Sequence, residues 1–116
     1  MYRARDAARG TVLADRLRTA DTHWSRLRGL IGTPSLPAGE GLWIRPCRQV
    51  HMFWMRYPID VVFLDETHRV VGVVEALAPG SISPKIAAAA SVIELPAGTV
   101  ARAGVGTGAQ IEIQPA

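Results

Sequence analysis

Two runs rich in β-branched residues, Ile59–Leu64 and Val70–Leu77, flank the short polar connection Asp65-Glu66-Thr67-His68. Runs of that length and composition, joined by so tight a turn, pair as a β-hairpin. Both arms are nearly continuously apolar, so both faces of the hairpin are expected to be covered. The rest of the chain must supply that cover. Short strands are predicted at residues 11–17, 41–45, 91–95 and 109–113, each set off by glycine, proline or polar residues. One main helix is predicted near residues 22–31. Asp21 or Thr22 is a suitable N-cap, and Trp24, Leu27, Leu30 and Ile31 follow at helical spacing until Gly32 and Pro34 stop the run. Thr99–Ala103 has room for a single helical turn. The predicted fold class is therefore mainly β, a β-dominated α+β domain with a compact, barrel-like antiparallel sheet closed by a helix. Residues 1–10 read as a loose N-terminal lead-in, and residues 11–116 as a single globular β-rich domain.

With 116 residues, 48% of them apolar, the chain can bury one core without cross-links. The single cysteine excludes an internal disulfide. No apolar run approaches the roughly eighteen residues that a bilayer span needs. The Arg-rich N-terminal segment carries no continuous apolar stretch of the secretory kind, so a cytoplasmic location is expected. The net charge of +3 is uneven: the first thirty residues hold seven Arg against three Asp, and the remainder six basic against seven acidic. A basic segment attracts phosphates, but Asp6, Asp15 and Asp21 interrupt this one and few aromatics are interleaved. That differs from a charge-and-stacking surface for single strands, and no specific nucleic-acid binding is expected.

The chemistry-bearing residues gather ahead of the first arm of the hairpin, in Cys47-Arg-Gln-Val-His51-Met-Phe-Trp54-Met-Arg56-Tyr-Pro-Ile-Asp60. Polar groups so near a buried strand cost free energy unless they are paired or used. Cys47 and His51 are both metal-ligand types, but a tetrahedral site needs four and no second pair exists, so no metal is expected. They could form a nucleophilic dyad if the imidazole lies close enough to generate a thiolate; the competing reading is a buried, unreactive thiol. His51, Asp60 and Glu94 could converge at one end of the sheet, where an imidazole beside a carboxylate is a workable general base. Alternatively the two carboxylates accept hydrogen bonds from Arg28, Arg56 or backbone amides. Met52, Phe53, Trp54 and Met55 could line an apolar pocket or belong to the core. The glycines of Gly104-Val-Gly-Thr-Gly108 lack the strand and helix of a dinucleotide loop and read as turn glycines, so no cofactor is expected. A cis Tyr57–Pro58 bond is open on sequence grounds.

The run Cys47-x-x-x-His51, Met55, Pro58-Ile59-Asp60-Val61 and Phe63-Leu64-Asp65 resembles the signature of domain-of-unknown-function family 192 (DUF 192). The likeness extends to Arg28-Gly29-Leu30 and Gly41-Leu42-Trp43-Ile44 upstream. Downstream it takes in Val70-Val71 and Val92-Ile93-Glu94-Leu95-Pro96-Ala97-Gly98, so that it spans roughly residues 10–114. One departure is visible: such sequences often carry Thr after the histidine, and here Met52 offers no hydroxyl. The resemblance implies a single small β-rich domain and imports no established activity.

Function is therefore read as unknown, with two classes in play. The favoured one is a small soluble binding or scaffold module for a small molecule or protein, with a pocket around His51, Trp54 and Asp60. Arg56, Glu94 and Cys47 are further ligand-binding candidates. The other is a hydrolase-like or transferase enzyme using His51 with Asp60 or Glu94, although no catalytic set is legible. Weak nucleic-acid binding through the N-terminal arginines ranks third.

Overall fold

The computed structural model spans Met1–Ala116 and describes every residue except His23, Trp24, Leu27 and Arg28. Among the described residues the strands are β1 (Tyr2–Asp6), β2 (Val12–Ala20), β3 (Glu40–Ile44), β4 (Ile59–Leu64), β5 (Val70–Leu77), β6 (Ser91–Pro96) and β7 (Ile111–Pro115). A short helix, α1 (Thr99–Ala103), joins the last two. They form one sheet in the order β5-β4-β6-β3-β2-β1-β7. The sheet curls until its outer strands meet at one end. There Arg69 and Gln110 face each other in a bridge, Val70 N–H donates to Ala109 O, and Ile111 N–H donates to His68 O. The predicted β-rich, barrel-like architecture is what the chain adopts. Not every pair is antiparallel, however. β2 and β3 run parallel, which requires a crossover connection between them.

Strand alternation divides the apolar side chains between two faces. Leu17, Trp43, Val62, Ile93 and Leu95 point into the curl and pack with Leu13, Val100 and Ile111. Leu42, Ile44, Val61, Phe63 and Val92 point outward, where Leu30, Val50, Met52 and Ala89 from the connecting segments cover them. The predicted hairpin forms, with Val62 opposite Val73 and Phe63 opposite Gly72. All six residues of β4 are buried. β5 lies at the sheet's edge, and its central residues are only half-buried, so the expectation of two covered faces holds for one arm alone.

Residues 1–10 are not a loose lead-in. Tyr2–Asp6 is a strand paired on both sides, with β2 and with β7. Exposed Arg3 and Arg5 alternate with buried Ala4 and Asp6, a two-residue period in which the inward side chains are small or acidic. Asp6 is held by its own turn: its Oδ1 accepts the Ala8 and Arg9 amides at 3.0 Å, and Arg9 donates to Oδ2 at 3.3 Å. These bonds keep its carboxyl below the usual carboxylate range, against the opposing effect of burial. Four of the helical expectation's residues, His23, Trp24, Leu27 and Arg28, lie outside the described residues. Its start matches the sequence reading, since Thr22 Oγ1 accepts the Ser25 amide and Ser25 Oγ accepts the Thr22 amide in a reciprocal cap. Arg26 N–H then donates to Thr22 O and Gly29 N–H to Ser25 O. No helix among the described residues is long and apolar enough to cross a membrane.

Candidate functional site

Two irregular segments lie over the outer face of β3 and β6, and hydrogen bonds zip them together. Ser83 N–H donates to Val50 O, Met52 N–H to Ser81 O and Gly80 N–H to Met52 O, all at 2.8 Å. Ser83 Oγ accepts the Val50 amide, and Gln49 Nε2 donates to Ser83 O. His51 and Ile82 face each other in a bridge. Residues 46–57 are thus a braced strap. The peptide bond entering it, Arg45–Pro46, is cis, whereas Tyr57–Pro58 at its far end is trans.

Between the strap, the sheet and the segment carrying Arg26 and Leu30 lies a cavity of about 520 Å³. That volume falls within the range of small-molecule sites. Glu94 of β6 forms part of its wall, along with Cys47, His51, Trp54 and Arg26. Of the sequence candidates, then, Cys47, His51, Trp54 and Glu94 come together; Arg56 is exposed and lies outside the cavity. Asp60 is separate too. It stands opposite Leu95 across the β4–β6 ladder, while Glu94 stands opposite Val61. The pleat therefore sends Asp60 into the curl with Val62 and Leu64, and Glu94 to the outer face with Val61.

Asp60 is wholly buried and serves the fold. Its Oδ2 accepts the Gly98 amide at 3.1 Å and the Val100 amide at 2.9 Å, at the start of α1. Its Oδ1 accepts the Ala76 amide at 2.9 Å. Ala76 sits in a bulge where β5 slips register against Asp60 and reaches φ 50°, so its N–H turns from the ladder to the carboxylate. The expectation that His51 and Asp60 share a pocket is not met. The alternative, that this carboxylate accepts backbone amides, describes what is seen.

Glu94 is the contrasting case. It is 5% exposed and makes no hydrogen bond among the described residues; burial alone pushes its carboxyl up to about 7. Nearby, the Cys47 thiol donates to Gln49 O at 3.2 Å. Burial raises its pKa, and Glu94 adds to the rise, so it stays a thiol at neutral pH and is poorly suited to be a nucleophile. Arg26 is half-buried, and its Nε is buried without a hydrogen-bond partner. Arg26 lies in the connection between β2 and β3 and was not among the sequence candidates. Nothing in the sequence signalled that the crossover would lay this side chain over β6.

At the mouth, Trp54 is 82% exposed and adopts φ 69°. A left-handed tryptophan is an uncommon and strained conformation. Phe53 is exposed beside it, its ring 6.0 Å from that of His51. Among the described residues no group of three or more His, Cys, Asp or Glu is placed to hold a metal.

A curled seven-stranded sheet with a strapped pocket on its outer face defines a small single-domain β module. The family description "Uncharacterized ACR", DUF192, matches residues 4–113, and the chain belongs to that family. A UPF0127 protein of Thermococcus sibiricus is 35% identical over 97 residues; the match takes in 79% of this chain and 62% of that relative's length. Two crystal structures share the fold. One is a protein of unknown function from Novosphingobium aromaticivorans, with TM-score 0.82 and 23% identity, covering 96% of this chain and 82% of its own. The other, from Sinorhizobium meliloti, is described as a proposed transcription regulator, with TM-score 0.78 and 25% identity, covering 96% and 90%.

Proposed function

We propose that the protein is a small-molecule binding module and that the cavity under the strap is its site. One observation carries this reading: Glu94, buried and without a hydrogen-bond partner among the described residues, forms part of the wall of a cavity large enough for a ligand. A carboxyl so placed can donate a hydrogen bond to a ligand in the cavity, or accept one from it. His51, Cys47 and Gln49 supply further polar contacts, and Met52 and Met55 give adaptable apolar surface.

A thermal-shift screen of polar small molecules tests the reading. A ligand that binds only the folded state raises the melting temperature by mass action. Hits should shift the wild type and lose most of that shift in Glu94→Gln and His51→Ala. Hits that shift all three proteins equally bind elsewhere and refute the assignment.

A second reading, acid–base catalysis, is favoured by the same carboxyl. A pKa of about 7 suits proton transfer at neutral pH, and His51 is on the same cavity. It ranks below binding because, among the described residues, no nucleophile and no orienting partner for His51 is in place. Transcription regulation, the role suggested for the Sinorhizobium protein, ranks lower still. Among the arginines near the N-terminus, Arg5 pairs with Glu112 and Arg9 with Asp6, which diminishes the basic field a polyanion would meet.

A further inference from the structure

We infer that the pocket takes a zwitterionic small molecule with an apolar side group, its anionic group held by Arg26 and its ammonium group by Glu94. The simplest member of that class is an apolar amino acid. The inference rests on the binding reading above and narrows it to a chemical class.

The argument begins with two buried polar groups of opposite type on one cavity. Arg26 Nε is buried without a hydrogen-bond partner, and Glu94 is buried with none among the described residues. Both line the same cavity, yet no ion pair joins them in the structure. Side chains so arranged usually neutralise each other directly, because an unpaired buried charge is costly. Here the two line one cavity without pairing with each other. A purely anionic ligand would satisfy Arg26 and set a like charge near Glu94. A purely cationic one would do the reverse. A ligand carrying both groups satisfies both walls and adds charge-assisted hydrogen bonds at each. The remaining surface suits the rest of such a molecule: Leu30, Ile44, Met52 and Met55 are apolar, and Phe53 and Trp54 stand at the mouth.

Titration supplies an independent signature. The Glu94 carboxyl, raised to about 7, must lose its proton to pair with an ammonium group. Binding should therefore strengthen about tenfold between pH 6 and pH 8 as the ionised fraction grows. His51 and Cys47 are the other titratable groups described on this cavity, and the Glu94→Gln protein separates their contribution.

The test is calorimetric titration with two matched series. One is L-leucine, isoamylamine and isocaproate; the other is L-phenylalanine, phenethylamine and hydrocinnamate. The zwitterion should bind at least about tenfold more tightly than either truncated analogue. In Arg26→Gln, leucine should bind no better than isoamylamine. In Glu94→Gln it should bind no better than isocaproate, and the rise with pH should vanish. Melting curves of both variants establish that they are folded. If an amine or an acid binds as tightly as its zwitterion, the inference is overturned while the pocket assignment stands. If none of these compounds binds and the broad screen also yields no ligand dependent on Glu94, the pocket assignment falls with it.

Discussion

Asp60 and Glu94 stand one step apart across the same ladder, and the sheet between them separates two kinds of burial. On the inner face, Asp60 collects three backbone amides and pins the start of α1 to the bulge of β5. On the outer face, Glu94 has burial without partners among the described residues and a cavity beside it. Burial by itself does not distinguish a carboxylate tied into the fold from one that faces a cavity. The fate of its lone pairs does.

That contrast is broken most sharply at Asp60. Asp60→Ala leaves three amides unsatisfied and should destabilise by about 3–5 kcal/mol in urea unfolding. Asp60→Asn keeps one acceptor oxygen; turned toward α1, it should lose about 1–3 kcal/mol. A loss below 1 kcal/mol for the alanine variant would dissolve the distinction.

The pH dependence of stability comes next. The folded pKa of Glu94 is raised to about 7 from an ordinary 4.5. The folded chain therefore holds a proton that the unfolded chain releases between those values. Its contribution to stability is full below the lower value, falls as pH rises through the window and then levels off. The total loss is on the order of 3 kcal/mol. His68, whose pKa burial lowers, acts in the opposite sense as pH falls below its ordinary value. The difference between wild type and Glu94→Gln across the window isolates Glu94, and a flat difference would place this carboxyl among the satisfied ones.

A smaller effect has the opposite sign from the Asp60 result. Glu94→Leu replaces a buried carboxyl that has no hydrogen-bond partner among the described residues; it should raise stability by about 1–2 kcal/mol at pH 8 and, on the proposed reading, abolish ligand binding. The smallest effect is at Cys47. Its raised pKa predicts negligible alkylation by iodoacetamide at pH 7, with the rate climbing only at alkaline pH.

The fold was legible where side-chain pattern and turn chemistry agreed. Val61, Val62 and Phe63 opposite Val74, Val73 and Gly72 form the hairpin that β-branched content and the turn at Asp65 announced. β1 was hidden because its inward positions, Ala4 and Asp6, carry almost no hydrophobic signal, and Arg3 and Arg5 read as a charge run. The parallel pairing of β2 with β3 was hidden as well, since direction depends on the path of the crossover and not on the composition of either strand. At the site, the strap around Cys47, His51 and Trp54 stood out by its chemistry. The roles of the two carboxylates did not. Which face each occupies follows from Asp60 meeting Leu95 and not Glu94, and a one-residue change of register exchanges the faces.

The pairing of β1 with β7 carries a consequence for how the molecule assembles. One neighbour of β1 is β2, a short turn away; the other comes from the opposite end of the sequence, where Tyr2 meets Pro115 and Ala4 meets Ile113. The hairpin of β1 with β2 can form early, but it remains an open edge until the final strand arrives. Contacts of such high sequence separation slow folding, because the chain's entropy must be surrendered before they reward it. Closure of the curl is therefore a late event, and until it happens an unpaired strand edge is available to another copy of the chain.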